Sequence, residues 1–436
     1  MKKYILFVFT AFYFTFNVQA QEVLKIKDYR QKVLEYNQDI QSAQKQISAA
    51  DEYIKVANSD KGPRIDAGAS YSYTGRPFDP TGFKPSNAPI GEWLPVHHNY
   101  NANITIKQDI YTGGRIKSSI KLAQMKKEIA SAHRDYTGSE LLFYADQLYW
   151  KSVGDKEALE LARQYQTSVQ TLVDVAKNKY EAEIVSRNDL LMAEVKLNEA
   201  ELEVLKAQNN YNISIMNLNR LMGKEIISST VVEDTVDFSE FIFDTNDVVT
   251  RALGQRAEIR QSIAEVKATH ANTDLTASKY KGNLHVFAKG VYGAPSPQLA
   301  NSPEGNYYAG AGFSIPIYHS GKKKRELAAR KIESEIAVLN REKVTDQVIL
   351  DINEAMYLLD EAAKRVELTN ASLAKADENL DMIIDRYKDG LSPIIEVTDA
   401  QVNWQIAYRE YIDAKVKYKV ACTNIEKASG DLYQSK

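Results

Sequence analysis

The feature that most constrains this chain is an internal duplication. The run Asp109–Arg115 (DIYTGGR) resembles the run Pro316–Lys322 (PIYHSGK), which lies 207 residues later. The same spacing separates two further pairs of residues, Tyr180 and Tyr387, and Gly223 and Gly430. One offset without a gap covers more than 110 residues, which is difficult to attribute to chance helical similarity. We therefore expect two copies of one unit rather than the roughly three domains that length alone suggests.

The two copies differ in a proline-rich window. Lys61 matches Lys281 at an offset of 220 residues, so the first copy carries 13 extra residues. These fall between Pro77 and Pro95, where a loop tolerates insertion. Each copy is predicted to contain a helix, a strand, a loop, a strand, a long helix, a tight turn and a helix.

The predicted strands alternate between apolar and polar side chains. The odd-numbered residues of Ile65–Tyr73, the even-numbered residues of Tyr100–Ile106 and the odd-numbered residues of Tyr307–Ile315 are apolar. Leu284–Tyr292 is the weakest strand, because both of its faces are mixed. Each strand taken alone suits a half-buried soluble sheet. Four strands of about 9–11 residues with tyrosines near their ends favour a membrane barrel with aromatic girdles.

The segments 114–223 and 321–430 are rich in strong helix formers. Their returning helices have heptad spacing with alanine at alternate positions, which lets helices approach closely; in the first copy the positions are Leu190, Ala193, Leu197, Ala200, Val204, Ala207 and Tyr211. If helical, residues 115–179 would extend about 100 Å, far more than a globular domain needs. Gly138 and Gly154 are expected to weaken or break this helix.

The turns between the long helices carry helix-start signals. Ser186 and Asp189 have the spacing of a capping box. Ser392 followed by Pro393 predicts an N-cap with proline at the first helical position. Gly390 suits the left-handed corner of its turn.

The N-terminus predicts export. Lys2 and Lys3 precede a 13-residue apolar stretch, and Val18–Ala20 is a small-residue cleavage site, so the mature chain would begin at Gln21. The stretch is shorter than the roughly 20 residues that a spanning helix needs. Cys422 is the single cysteine, which excludes an intrachain disulfide, and we expect it to be a buried apolar side chain.

Composition and motifs argue against several other functions. Lys and Arg total 55 against 58 Asp and Glu, so no basic field indicates a nucleic-acid partner. The six histidines form no metal-ligand motif, and no nucleophile elbow or phosphate-binding Gly-Lys loop is present. We expect no enzymatic activity, no cofactor and no metal.

Taken together, these features resemble those of the TolC-like outer-membrane factor family. The resemblance rests on the signal peptide, the duplicated plan, the run Ile110–Arg115, and the run Tyr387–Pro393 leading to Asp399–Gln401, and it covers nearly the whole mature chain. It implies an α+β membrane protein with a duplicated helix–β-hairpin–long-helix unit. Three chains would form a 12-stranded outer-membrane β-barrel continuous with a periplasmic α-helical coiled-coil barrel.

This plan divides the chain into successive segments. They are the signal peptide 1–20; the first N-terminal helix 21–62; the first β-hairpin 63–113 with its outer loop; the long helices 114–223 with a tip turn near 180–187; the linker or equatorial segment 224–248; the second N-terminal helix 249–282; the second β-hairpin 283–320; the long helices 321–430 with a tip turn near 387–393; and the tail 431–436.

The resemblance implies a passive exit duct in a tripartite efflux or type I secretion system. An inner-membrane pump of the RND or ABC type and a periplasmic adaptor would drive drugs, metabolites or proteins through the homotrimer. The chain would contact lipid in the cell outer membrane and have a long periplasmic extension. The alternative is a periplasmic structural or adaptor coiled-coil protein whose hairpins form a soluble sheet.

The resemblance also implies functional residues at the tips. Glu396 and Asp399, and Asp189 in the first copy, match carboxylates that narrow the entrance in some members, where symmetric copies would attract cations. Acids at these positions would also stabilise a helix start, and that alternative stays open. Tyr387 matches the tyrosine of a Tyr–Arg network that closes the entrance in some members, but Ser392 occupies the arginine position. The adaptor-docking turns are expected at Tyr180, Ser186, Gly390, Ser392 and Pro393.

Overall fold

The computed structural model describes residues 23–75, 97–239, 241, 248–294 and 303–433. Within them, the order of two helices, two strands and two helices occurs twice. The elements are α1 (Ile26–Tyr36), α2 (Gln38–Ser59), β1 (Arg64–Tyr73), β2 (His98–Tyr111), α3 (Arg115–Glu181), α4 (Arg187–Leu221), α5 (Val248–Gln255), α6 (Ala257–Ser278), β3 (Asn283–Ala294), β4 (Glu304–Ser314), α7 (Lys322–Lys388) and α8 (Ile394–Ser429). The predicted signal peptide, including the cleavage after Ala20, and most of the first outer loop lie outside the described residues.

The duplication is visible in the backbone. Helices α3 and α7 contain 67 residues each, and both their first and their last residues are 207 positions apart. The described residues with positive φ also form pairs at this spacing: Gly113 and Ser320, Gly114 and Gly321, Glu183 and Gly390, and Gly223 and Gly430. The two copies therefore share their turn conformations even where the residue types differ.

The long helix α3 is continuous, contrary to the expected break at Gly138 or Gly154. A Cβ atom at Gly138 would lie 2.7 Å from Cζ of Tyr433, and one at Gly154 would lie 2.6 Å from Cγ2 of Val416. These glycines therefore allow close side-chain packing against an unbroken helix. Among the described residues, no helix combines the length and the apolar content needed to cross a membrane.

Each N-terminal segment expected to be one helix contains two. Asn37, with ψ of 129°, separates α1 from α2, and Arg256, with ψ of 134°, precedes α6. Arg256 is buried and forms ion pairs with Glu258 at 2.5 Å and with Asp351 at 2.9 Å. In the second copy, these ion pairs hold the extended residue at which the helix is interrupted.

The four strands form one antiparallel sheet in the order β1-β2-β3-β4. The two hairpins join through β2 and β3, whose register shifts between Asp109 and Tyr111. Within the described chain, the edge strands β1 and β4 each pair on one side. The sheet thus has two open edges.

The described chain forms two compact units. One lies within residues 1–37, 140–244 and 354–427, and the other lies within 38–139, 245–353 and 428–436. In the first unit, the Tyr29 and Tyr149 rings stack 5.9 Å apart, and the Tyr149 hydroxyl donates to the Leu24 carbonyl at 2.9 Å. In the second unit, which contains the sheet, buried Asp135 accepts a hydrogen bond from Arg260 at 2.6 Å. Each unit therefore has its own core and its own buried polar contacts.

The linker after α4 is attached to the first unit through a buried ion pair. Glu157 accepts a hydrogen bond from the backbone N–H of Val236 at 3.1 Å and another from Lys415 at 2.6 Å. Glu157 and Lys415 are both buried. The charges of Glu157 and Lys415 therefore compensate each other. The second oxygen of the Glu157 carboxylate accepts the hydrogen bond from the linker at Val236.

Candidate functional site

One face of the sheet is apolar and uncovered. Tyr71 lies opposite Tyr100, Tyr100 lies opposite Ala294, and Gly290 lies opposite Tyr307, so the predicted apolar positions share one face. Its most exposed large side chains are Ile65 (62%), Tyr71 (65%), Tyr73 (62%), Ile104 (51%), Tyr292 (54%), Tyr307 (86%) and Phe313 (66%). Within the described residues, no segment covers this face. An uncovered apolar face of this size marks an interaction surface.

The opposite face is more polar. Alongside Phe287, Val291 and Tyr308, it carries the side chains of Asp66, Ser70, Asn101, Asn103, Thr105, Lys107, Lys289 and Asn306. His285 also lies on this face, against Gly312, where a Cβ atom would be only 2.7 Å from the imidazole ring. An apolar face opposite a polar one is the pattern of strands with lipid on one side and water on the other.

The two tip turns have the same hydrogen bonding. The backbone N–H of Leu391 donates to the Arg386 carbonyl at 2.8 Å, and that of Ile184 donates to the Lys179 carbonyl at 2.8 Å. Each turn passes through a left-handed residue, Gly390 in the second copy. Leu391 and Ile184 then extend into solvent, with 68% and 67% of their surfaces exposed. Each tip therefore presents one apolar side chain at an equivalent position.

Tyr387 is buried in a core cluster that contains residues of α3, α4 and α8, whereas its counterpart Tyr180 is exposed. The Lys179 ammonium lies 4.4 Å from the centroid of the Tyr387 ring and donates a hydrogen bond to the Tyr387 carbonyl. The Tyr387 hydroxyl has no hydrogen-bond partner among the described residues. Burial raises its pKa, and the charge of Asp189 raises it further. The ring thus contributes to packing between the two helical hairpins, and its hydroxyl is a buried polar group that forms no hydrogen bond within the described part of the chain.

Ser392 does not cap α8 as the sequence predicted. Because the helix begins at Ile394, the N-cap position falls on Pro393. The Ser392 hydroxyl instead accepts a hydrogen bond from Nε of Arg386 at 3.1 Å. This contact connects the end of α7 to the start of α8.

The capping box predicted at Ser186 is confirmed. The Asp189 backbone N–H donates to Ser186 Oγ at 3.3 Å, and the Ser186 N–H donates to Asp189 Oδ2 at 3.0 Å. The Asp189 carboxylate therefore stabilises the start of α4. This is the alternative role that the sequence left open for the candidate acids.

Glu396 and Asp399 lie one turn apart on α8 and are both exposed. Asp399 is close enough to Lys196 for its charge to contribute to the raised pKa of that lysine, although a 2.8 Å hydrogen bond from Lys196 to Glu199 is the larger cause. Of the three candidate carboxylates, Asp189 is thus occupied by the cap, whereas Glu396 and Asp399 are exposed.

Three side chains at or near the tips were not found from the sequence: Lys179, Lys196 and Arg386. The role of Lys179 depends on which helices pack together. The contacts of Lys196 with Glu199 and of Arg386 with Ser392 are local but belong to no motif that the sequence analysis used. Among the described residues, no group of three or more His, Cys, Asp or Glu side chains is arranged to hold a metal ion.

Comparison with known proteins gives consistent matches. A model of the outer membrane efflux protein family matches residues 29–224 and 248–431. Outer membrane protein TolC of Escherichia coli (strain K12) is 20% identical over 428 residues, which cover 95% of this chain and 83% of TolC.

Solved structures have the same fold. The Campylobacter jejuni CmeC outer membrane channel matches with a TM-score of 0.78 at 16% identity, covering 94% of this chain and 86% of CmeC. CusC matches with a TM-score of 0.79 at 15% identity, covering 94% of this chain and 93% of CusC.

Proposed function

The chain belongs to the outer membrane efflux protein family, and on that premise we propose that it is the exit duct of a tripartite efflux or type I secretion system. As a member of this family it is an outer-membrane transport protein and not an enzyme. In the proposed system, an inner-membrane pump of the RND or ABC type and a periplasmic adaptor supply the cargo. The duct conducts it passively.

The uncovered apolar face of the sheet carries this proposal. In a periplasmic protein with a soluble sheet, that face would be packed against other parts of the chain, whereas Tyr71, Tyr307 and Phe313 are each more than half exposed. Lipid would cover this face in the outer membrane. The structure therefore favours the duct over the periplasmic structural or adaptor protein.

The open sheet edges support assembly from several chains. A barrel must close, and bacterial barrels start at about eight strands, so one chain with four strands is insufficient. Two or three chains satisfy this rule, and the family resemblance favours three, with 12 strands. We propose that copies of Glu396 and Asp399 then surround the periplasmic entrance, and that the tip turns, with exposed Ile184 and Leu391, receive the adaptor.

Lysine substitution on adjacent residues of β1 tests the membrane assignment. Ala69→Lys places a charge on the apolar face, which costs about 2–4 kcal/mol near the middle of a bilayer. Ser70→Lys places the same charge on the polar face and is the matched control. We expect Ala69→Lys to reduce recovery in the outer-membrane fraction while Ser70→Lys does not. Recovery of the unmodified chain in the soluble periplasm would contradict the proposal.

Export is tested separately in cells. Deleting the gene should increase sensitivity to at least one toxic compound or abolish secretion of a protein, and Leu391→Asp should reproduce that loss with normal membrane insertion. Ser372→Asp, at an exposed position on α7, is the control. A deletion without any such effect would argue against an export role.

A further inference from the structure

Four consecutive basic residues lie where the segment after β4 enters α7. Lys322, Lys323, Lys324 and Arg325 are all exposed, and the first turn of α7 contains no acidic residue. Because an α-helix turns once in about 3.6 residues, the four side chains surround the axis within about 5 Å of its length. We call these four residues the basic collar.

The basic collar is largely unpaired. Lys322 lies 3.7 Å from Glu326, whereas the described chain provides no ion pair for Lys323, Lys324 or Arg325. Like charges repel one another, and cations are also disfavoured at the positive end of a helix. The arrangement therefore lowers helix stability unless negative charge is supplied from outside the chain.

The first copy shows how the same position is neutralised internally. Arg115 at the start of α3 forms ion pairs with Asp60 at 3.3 Å and with Asp109 at 3.1 Å. At the equivalent positions the second copy has Tyr280 and Pro316. It thus has more cations at the helix start and lacks both of the acids that pair with Arg115.

Exposed apolar side chains directly precede the basic collar. Ile317 and Tyr318 are 93% and 80% exposed, and they follow Phe313 on the apolar face of the sheet. Moving along the chain, apolar residues are followed by an exposed tyrosine and then by cations. This order matches the hydrocarbon, interfacial and headgroup layers of a membrane.

We propose that the basic collar binds the headgroups of anionic phospholipids in the periplasmic leaflet of the outer membrane. This inference rests on the proposed function, because it requires the sheet to lie in that membrane with α7 on the periplasmic side. A lipid fits better than a soluble anion because Ile317 and Tyr318 adjoin the charges and offer a surface for acyl chains. Bound headgroups supply the negative charge that the second copy lacks and fix the depth of the chain in the bilayer.

Lipid retention by the full-length protein tests this proposal. The protein is reconstituted in vesicles of phosphatidylethanolamine with a minority of phosphatidylglycerol, extracted gently, and examined by native mass spectrometry for bound lipid. Each cation near an anionic surface contributes about a fivefold gain in affinity. The triple variant Lys323→Gln, Lys324→Gln and Arg325→Gln should therefore lower the preference for phosphatidylglycerol about a hundredfold.

The matched control removes three exposed lysines elsewhere on α3 and α7, as Lys177→Gln, Lys343→Gln and Lys375→Gln, and should retain the preference. The unmodified protein should also lose its preference as salt is raised, because salt screens exposed charges. A preference that survives both the triple substitution and high salt would overturn the lipid proposal.

Channel conductance measured in the same vesicles separates this inference from the proposed function. If the unmodified protein conducts but shows no preference for phosphatidylglycerol, the lipid proposal fails and the duct remains. If it conducts in no vesicle, the proposed duct fails, and with it the premise of the lipid site.

Discussion

Glu183 and Gly390 occupy equivalent corners of the two tip turns and share a left-handed backbone, with φ of 57° and 78°. Glycine adopts this conformation without strain, whereas a residue with a Cβ atom pays about 1–2 kcal/mol. The first tip therefore contains local strain that the second does not.

We expect Glu183→Gly to stabilise the first tip turn by up to about 1 kcal/mol, since part of the relief is offset by the greater freedom of glycine in the unfolded chain. Amide hydrogen exchange in residues 180–186 should slow up to about fivefold. Gly390→Ala is the converse variant and should accelerate exchange in the second tip. Faster exchange in Glu183→Gly would show that the glutamate side chain stabilises the turn.

The entrance carboxylates are tested in a planar bilayer. Replacing Glu396 and Asp399 with alanine should raise single-channel conductance and reduce cation preference, because two negative charges are lost from each chain at the proposed constriction. The double variant Glu342→Ala and Asp346→Ala removes the same two residue types from exposed positions on α7 and should leave selectivity unchanged. Unchanged selectivity in the first variant would leave helix-start stabilisation as the role of both acids.

The buried pair of Lys415 and Glu157 should be sensitive to loss of one partner. Lys415→Met leaves a buried carboxylate with the Val236 N–H as its remaining partner, and we expect a loss of about 3–5 kcal/mol in unfolding free energy. The double variant Lys415→Met and Glu157→Leu removes both charges and should recover much of this loss. Circular dichroism melts of the protein in detergent provide the measurement; equal destabilisation by both variants would contradict the ion-pair explanation.

Cys422 should be unreactive in the folded protein. It is buried, as the sequence predicted, and burial raises the pKa of its thiol to about 11. The thiolate is the reactive form, so at pH 8 only about one molecule in a thousand would carry it. Maleimide labelling should be slow in the folded state and fast in denaturant. A Ser372→Cys variant provides an exposed thiol as the positive control, and equally rapid labelling of Cys422 would contradict its burial.

The hydroxyl of Tyr387 is closed to solvent and has no hydrogen-bond partner among the described residues. A buried donor without a partner costs free energy. We therefore expect Tyr387→Phe, which keeps the buried ring, to preserve the unfolding free energy or raise it by up to about 3 kcal/mol, and to leave conductance through the resting channel unchanged. Circular dichroism melts and planar-bilayer recordings measure the two quantities. A clear loss of stability or a higher resting conductance would contradict this expectation.

Much of the fold could be predicted because its signals are local or repeated. The 207-residue offset recurs in the bounds of α3 and α7, and the alternation of β1 correctly identifies the apolar face. The helix interruption at Arg256 could not be predicted, because Arg256 forms an ion pair with Asp351, which is distant in the sequence. The interruption at Asn37 was not predicted either. Gly138 was misjudged for a similar reason, because the ring of Tyr433 packs against it from far along the chain.

At the tips, too, a local motif could be predicted and contacts outside such motifs could not. The capping box of Ser186 depends on residues three positions apart and was predicted correctly. The role of Ser392 was not predicted, because its hydroxyl accepts a hydrogen bond from Arg386 of the preceding helix. The burial of Tyr387 depends on Val173 and Ala176 of α3, more than 200 residues away, and the sequence of one hairpin does not predict that packing.

The sheet also constrains how such a protein is delivered. With two open edges and an uncovered apolar face, a newly exported chain would pair and aggregate with other chains in water. Its helices also expose apolar side chains, among them Leu205, Tyr357 and Leu368, but their backbone groups are paired within each helix and offer no open edge. Delivery to the outer membrane therefore requires that the hairpins be shielded, or remain unpaired, until lipid covers the apolar face.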